Sequence, residues 1–149
     1  MRRAAEWSLR IVLGLVFLWA GLSKVGAPLA TLATVYSYQI VMPDLLAETI
    51  AAALPWMEIL LGLALLSGVM RGAAVTWTIL MLAGFAALTA QAWWRELPID
   101  CGCMDLSILH PALAVLATPG GATLRNAALL LLAGLLGFLV RRRERVPAP

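Results

Sequence analysis

The sequence predicts an all-α integral membrane protein, a single domain of residues 1–149 folded as a four-helix bundle. Composition is the first reason: 62% of the 149 residues are hydrophobic, only 13% are charged, and the mean hydropathy is +0.92. A soluble domain carries about 25% charged residues. Length is the second reason, because a helix needs about 20 apolar residues to cross a bilayer core. The chain therefore has room for four spans and modest loops.

Four apolar stretches cover about residues 7–25, 54–70, 73–94 and 124–140. The flanks of the first resemble a secretory signal peptide, but no small-x-small cleavage site follows the apolar run, so we expect this segment to remain as a span. Only a short turn around Arg71 and Gly72 separates the second and third stretches. These two spans are predicted to form an antiparallel hairpin.

The distribution of arginine predicts that both chain ends are cytoplasmic. Basic residues near span ends are retained on the cytoplasmic side. They concentrate in the N-terminal arm, which holds Arg2, Arg3 and Arg10, at the middle turn and in the C-terminal tail. The two remaining loops, about residues 26–53 and 95–123, contain five acids and Arg95 as their only basic residue. The net charge of +3 is explained by this topology and by contact with anionic lipid. No nucleic-acid partner is inferred from it.

The first outer loop mixes apolar and polar residues and predicts short interfacial helices. Pro43 suits the start of a new helix, whose N-terminus Asp44 and Glu48 would favour. Tyr36 and Tyr38 are expected to face either a cavity or the head groups.

Small residues within the spans predict close helix packing: they are Gly14, Gly21, Gly62, Gly84, Gly134 and Gly137.

The second outer loop contains the two cysteines of the chain, Cys101 and Cys103, in the sequence Cys-Gly-Cys. On the oxidising face of a bacterial inner membrane, such a pair favours a disulfide. Gly102 supplies backbone freedom to close the small ring, and strained, exposed disulfides tend to be the reducible, catalytic ones. The pair is interpreted as a redox switch and a candidate catalytic site.

Two other interpretations of the pair remain open. The disulfide could be a structural clip, although a ring closed over one residue removes little entropy from the unfolded chain. The two thiolates could instead bind Cu(I), with Met104 or His110 as further ligands. We predict no resident metal and no obligatory cofactor.

Three ionisable residues lie where spans meet this same side. Lys24 closes the first span and Glu58 lies one turn into the second, so an ion pair between them is expected, as a structural clamp or as part of a proton route. Arg125 opens the fourth span beside Asn126. It could stabilise a thiolate, an anionic quinone or an acidic side chain, or serve as a helix cap. Glu58 and Arg125 are thus candidate quinone-binding or charge-relay residues.

Several of these motifs, in this order, resemble the MauE branch of the DoxX-like membrane proteins. The likeness covers most of the chain and includes Gly21 to Lys24 (GLSK), Tyr38, Pro43, Pro55 to Leu66 (PWMEILLGLALL), Cys-Gly-Cys, and Arg125 with Asn126. The family pattern commonly continues CGCFG, whereas Met104 and Asp105 follow here. The resemblance implies a four-helix bundle that assists maturation of a disulfide-rich periplasmic dehydrogenase subunit beside a thioredoxin-like partner.

The leading hypothesis is a thiol-disulfide redox protein of the bacterial inner membrane, in which Cys101 and Cys103 exchange with a periplasmic thioredoxin-like protein or client. A quinone is the candidate electron acceptor, by analogy with other four-helix membrane thiol oxidases. One rival is a non-catalytic scaffold or regulatory subunit of a membrane complex. Another is a small transporter or metal handler, which the scarcity of polar groups within the spans disfavours.

Overall fold

The computed structural model describes residues 2–97, 99 and 118–144. These residues form five α-helices and no strand: α1 Arg2–Val25, α2 Pro28–Ser37, α3 Asp44–Ser67, α4 Arg71–Trp94 and α5 Pro119–Glu144. All except the short α2 are long and apolar enough to cross a bilayer. The prediction of a helical, multi-pass membrane protein is confirmed for this part of the chain.

The second span begins earlier than the hydrophobic pattern predicted. Helix α3 starts at Asp44, directly after Pro43, instead of near residue 54, and Pro55 lies inside it. A proline interrupts one backbone hydrogen bond of a helix but does not end it when surrounding helices compensate. Asp44 and Glu48 make the outer part of α3 polar enough to resemble a loop. Glu58 consequently lies near the middle of a long helix.

The four long helices are arranged in the spatial order α1, α3, α4, α5, and α5 closes the ring against α1. The most extensive contacts are within two pairs, α1 with α3 and α4 with α5. The hairpin neighbours α3 and α4 touch much less, although only residues 68–70 separate them. We call the end of the bundle with this connection the turn end. The opposite end, which holds α2 and both ends of the segment joining α4 to α5, is the loop end.

Glycine brings α1 and α3 into close contact. A Cβ atom on Gly62 would lie 2.8 Å from the carbonyl oxygen of Gly14, and one on Gly21 would lie 2.7 Å from that of Pro55. These distances are too short for any side chain, so the two backbones approach directly. The expectation of close packing is wrong for Gly84 and Gly134, because no described residue of another helix comes within 4 Å of a Cβ built there.

The main core contains residues from all four long helices and lies nearer the turn end. Its buried members are Leu13, Phe17, Leu65, Ala74, Val75, Leu82, Ala133, Leu136 and Val140. A smaller cluster of Tyr38, Ala92 and Leu97 lies at the loop end. The exterior is apolar as well: all six tryptophans are exposed, from 46% at Trp19 to 90% at Trp94. Such a surface is typical of contact with lipid.

Arg10, expected from its charge to lie in a cytoplasmic arm, is buried between α1 and α3. Its Nε donates to the carbonyl oxygen of Leu65 at 2.8 Å, and its Nη2 to that of Leu66 at 3.3 Å. These are among the last carbonyls of α3, which lack partners within their own helix. Gly68 ends the helix with φ +74°, and a Cβ there would collide with the Arg10 guanidinium. Arg10 thus fastens the end of α3 to α1.

We expect Arg10→Gln to destabilise the protein by about 1.5–3 kcal/mol, the usual contribution of hydrogen bonds to a charged group. The measurement is the free energy of unfolding in detergent, followed by circular dichroism. Arg3→Gln is the control, because Arg3 lies on the same helix with an exposed side chain. Equal stability of the two variants would contradict a role for Arg10 in holding α3.

Candidate functional site

Lys24 and Glu58 form a buried ion pair between α1 and α3. The Lys24 Nζ lies 2.7 Å from both carboxylate oxygens of Glu58, so the contact is bidentate. Only 7% of the Lys24 side chain and 1% of the Glu58 side chain are exposed. The two side chains come together because α1 and α3 pack antiparallel, which places Glu58 of α3 opposite Lys24 in the last turn of α1. The ion pair expected from the sequence is present, and its role in function stays a prediction.

Helix α4 contributes an aromatic ring, that of Phe85, to the surroundings of this ion pair. The Lys24 Nζ lies 5.7 Å from the centroid of the Phe85 ring, within the range of a cation–π contact. The hydrocarbon and aromatic surroundings exclude bulk water, which strengthens the attraction between the two charges and raises the cost of separating them.

Arg125 of α5 faces Glu58 across a small cavity. Glu58, Phe85, Arg125 and Asn126 line this space of about 30 Å³, together with apolar residues of α1 and α4. The Arg125 Nη1 and Nη2 are buried and make no hydrogen bond to any residue that the structure describes. A space of this size can hold a water molecule when polar groups line it. The two cations outnumber the one carboxylate in this charge cluster of Lys24, Glu58 and Arg125.

Asn126 and Thr89 join α5 to α4 just beside this cluster. The Asn126 Nδ2 donates to the Thr89 hydroxyl at 3.5 Å, and that hydroxyl donates in turn to the Phe85 carbonyl oxygen at 2.9 Å. Gln91 has a buried Oε1 without a partner in the described part of the chain. Phe85, Thr89 and Gln91 were not predicted from the sequence. Polar residues within an apolar span were the available signal for the latter two.

A larger, mostly apolar cavity of about 200 Å³ lies on the other side of the ion pair, toward the loop end. Lys24 and Phe85 form its inner wall, Thr31 and Tyr38 come from the region of α2, and Leu54 comes from α3. Tyr38 is 8% exposed and lines this cavity. Of the two positions expected for it, a cavity or the head groups, the cavity is confirmed. Glu58 thus lines the smaller cavity and Lys24 lines the larger one.

Tyr36, in contrast, lies on the surface and is 46% exposed. Its hydroxyl donates to Asp44 Oδ1 at 3.2 Å, linking α2 to the first turn of α3. Desolvation, followed by the charge and hydrogen bond of Asp44, raises the pKa of Tyr36. Arg95 makes a second link, because its Nη2 donates to Gln39 Oε1 at 3.2 Å. These contacts attach α2 to the ends of α3 and α4.

The predicted catalytic pair lies outside the described residues. Cys101 and Cys103 belong to the segment 100–117, as do Met104 and His110. The structure describes the chain on both sides of this segment: α4 ends at Trp94 and α5 begins at Pro119. These two ends lie close together, since a Cβ on Gly120 would be 3.4 Å from the Trp93 ring nitrogen. Within the described ranges, no group of three or more histidine, cysteine or carboxylate residues could hold a metal.

Comparison with known proteins gives the family. A family model described as Methylamine utilisation protein MauE matches residues 2–139. Methylamine utilization protein MauE of Paracoccus denitrificans is 33% identical over 106 residues, which are 70% of this chain and 56% of that protein. The chain thus spans little more than half the length of this curated relative. No solved structure matches this chain. Because the family model covers nearly the whole chain, the protein belongs to the MauE family.

Proposed function

We propose that this protein is a membrane thiol-disulfide oxidoreductase in which Cys101 and Cys103 cycle between dithiol and disulfide. The observation that carries the proposal is the Cys-Gly-Cys sequence in the segment between α4 and α5. Both chain ends are placed in the cytoplasm of a bacterium and the cysteine pair on the periplasmic side of the inner membrane, in accordance with the distribution of arginine. There the pair supports oxidative maturation of a periplasmic protein.

The exchange proceeds through a mixed disulfide. A thiolate of the client attacks the Cys101–Cys103 disulfide, and one of these two sulfurs leaves as a thiolate. The second client thiolate then attacks the mixed disulfide, so the client acquires its disulfide and the membrane pair becomes a dithiol. Two electrons pass from client to membrane protein in this exchange. A thioredoxin-like protein in the periplasm is the partner that would relay them from the final client.

Return to the disulfide requires an oxidant, for which we propose a quinone. The Cys101–Cys103 dithiol loses two electrons and two protons, and the quinone takes up both to become a quinol. The charge cluster supports this assignment, because Lys24 and Arg125 supply buried positive charge for an anionic reduced ring or a thiolate. Glu58 is the candidate carrier of the proton, since its carboxylate borders the small cavity beside Arg125.

The client class follows from the family. The description of the family and the name of its Paracoccus relative both refer to methylamine utilisation. We infer that the client is a disulfide-rich subunit of a periplasmic dehydrogenase. For such a subunit, the correct pairing of many cysteines depends on exchange at an accessible, reducible disulfide, which is the property proposed for Cys101 and Cys103.

The decisive measurement is the redox state of Cys101 and Cys103 in native membranes, by alkylation with a mass-shifting maleimide. We expect a disulfide that a mild dithiol reduces and that added oxidised quinone restores. Cys101→Ser and Cys103→Ser should each abolish the cycle and reduce client maturation to the level of a strain lacking the protein. These cysteines are the only two in the chain, so the double serine variant is a complete control for labelling.

Two outcomes would change the proposal. Reduction by dithiol without recovery on addition of quinone would remove the quinone step and assign the electrons to a partner protein. A pair that stays in one state throughout, with normal client maturation in both serine variants, would overturn the redox function. The protein would then be a scaffold or regulatory subunit whose Cys-Gly-Cys clips a loop.

A further inference from the structure

A groove between α4 and α5 opens on the outside of the bundle at its turn end. It encloses about 660 Å³. Its walls include Val75 and Ile79 from α4 and Gly134 and Phe138 from α5, and Arg141 and Arg142 stand at its end. We call this feature the α4–α5 groove. It combines a hydrocarbon channel with a cationic mouth.

Small residues create the channel. A Cβ on Gly134 would meet no atom within 4 Å, so this position of α5 leaves open space beside α4. Gly72 and Gly137 also line the groove. Phe138, which is 52% exposed, forms one apolar wall. This open space between apolar side chains on the outside of the bundle suits an acyl chain.

The mouth of the groove is positively charged from two sources. The side chains of Arg141 and Arg142 are exposed, and the Arg142 guanidinium lies 4.4 Å from the centroid of the Phe138 ring. The N-terminus of α4 lies at the same place, since Gly72 belongs to its first turn. Among the described residues, no side-chain hydrogen bond caps this turn, and the turn itself contains no acid. Its free N–H groups and helix dipole therefore favour an anion.

We propose that the α4–α5 groove binds an anionic phospholipid, with its phosphate at Arg141, Arg142 and the first turn of α4 and one acyl chain between the two helices. Basic pockets between membrane helices at the level of the head groups bind acidic lipids in this manner. Charge argues against a second copy as the occupant. A two-fold symmetric dimer through this groove would bring Arg141 and Arg142 of both copies together.

The test uses the purified full-length protein, delipidated in neutral detergent and titrated with phosphatidylglycerol or with phosphatidylcholine of the same acyl chains. Native mass spectrometry counts bound lipid, and the melting temperature is recorded in parallel. We expect a preference for phosphatidylglycerol of about thirty-fold, since each basic residue near the head groups contributes about five-fold. Bound lipid should also raise the melting temperature.

Three variants make the test specific. Arg141→Gln combined with Arg142→Gln should remove the preference, and Gly134→Leu should fill the channel and reduce binding of both lipids. Arg3→Gln changes an exposed arginine outside the groove and should bind as the natural protein does. Circular dichroism without lipid checks that each variant is folded.

The proposal is overturned if the natural protein binds the two lipids equally, or if the double arginine variant keeps the preference. A concentration-dependent dimer that Gly134→Leu disrupts, without any lipid preference, would assign the groove to a second copy instead.

Discussion

Lys24→Met is expected to destabilise the folded protein by about 3–5 kcal/mol, because it leaves the Glu58 carboxylate buried without its partner. Both carboxylate oxygens lose the ammonium that now lies 2.7 Å from each of them. Only 1% of the Glu58 side chain is exposed, so bulk water does not take the place of the ammonium. The measurement is the free energy of unfolding in detergent micelles.

The double variant Lys24→Met and Glu58→Leu is the matched control. Removing both charges eliminates the desolvation cost together with the attraction, so stability should return close to that of the natural protein. Recovery of less than half of the lost stability would show that the pair contributes through geometry that the apolar side chains do not reproduce.

The same double variant separates a structural clamp from a proton route. A stable double variant whose cysteine pair still recovers on addition of quinone would restrict Lys24 and Glu58 to a structural role. We expect instead that quinone-dependent recovery slows while reduction by dithiol is unchanged, because only the first reaction needs a buried proton carrier. Measuring both reactions on one sample makes the two roles distinguishable.

Gly62→Ala is the second change with a large expected effect, a loss of about 1–3 kcal/mol from overpacking. The new Cβ would lie 2.8 Å from the Gly14 carbonyl oxygen and 2.9 Å from the Leu18 amide nitrogen. Both are backbone atoms, so relief requires α1 and α3 to move apart along their whole contact. The melting temperature and the free energy of unfolding would measure the loss.

Gly84→Ala is the control for helix propensity. Its Cβ meets nothing within 4 Å, so only the intrinsic preference of alanine for helix remains, which favours the variant by up to about 1 kcal/mol. A Gly62→Ala variant as stable as Gly84→Ala would contradict the direct backbone contact between α1 and α3.

The number and type of the long helices were predictable, because apolar runs of bilayer length are a strong signal in the sequence. A helix start at Asp44 after Pro43 was also predicted, but the continuity of this helix with the second span was not. Asp44 and Glu48 dilute the hydrophobic pattern, and Pro55 usually marks a helix boundary, whereas here the helix continues through it. The resemblance to the MauE family was also available from the sequence, since it depends on residues spread over three of the four spans and both outer loops.

The charge cluster was predictable only in part. Lys24 and Glu58 were visible as costly charges near span ends, and their pairing followed from antiparallel helices. The contact of Arg10 with α3 was not predictable, because the rule for orientation already accounts for an arginine at this end of the first span, and only the packing shows its hydrogen bonds. Which glycines touch another helix likewise depends on helix rotation, which composition does not specify.

The division of the bundle into two helix pairs has a consequence for the charge cluster. Lys24 and Glu58 belong to one pair and Arg125 and Asn126 to the other, while each pair has its own extensive internal interface. A slight sliding of one pair along the other would alter the separation of Glu58 from Arg125 while leaving both interfaces intact. The geometry of the cluster is thus sensitive to relative displacement of the two helix pairs.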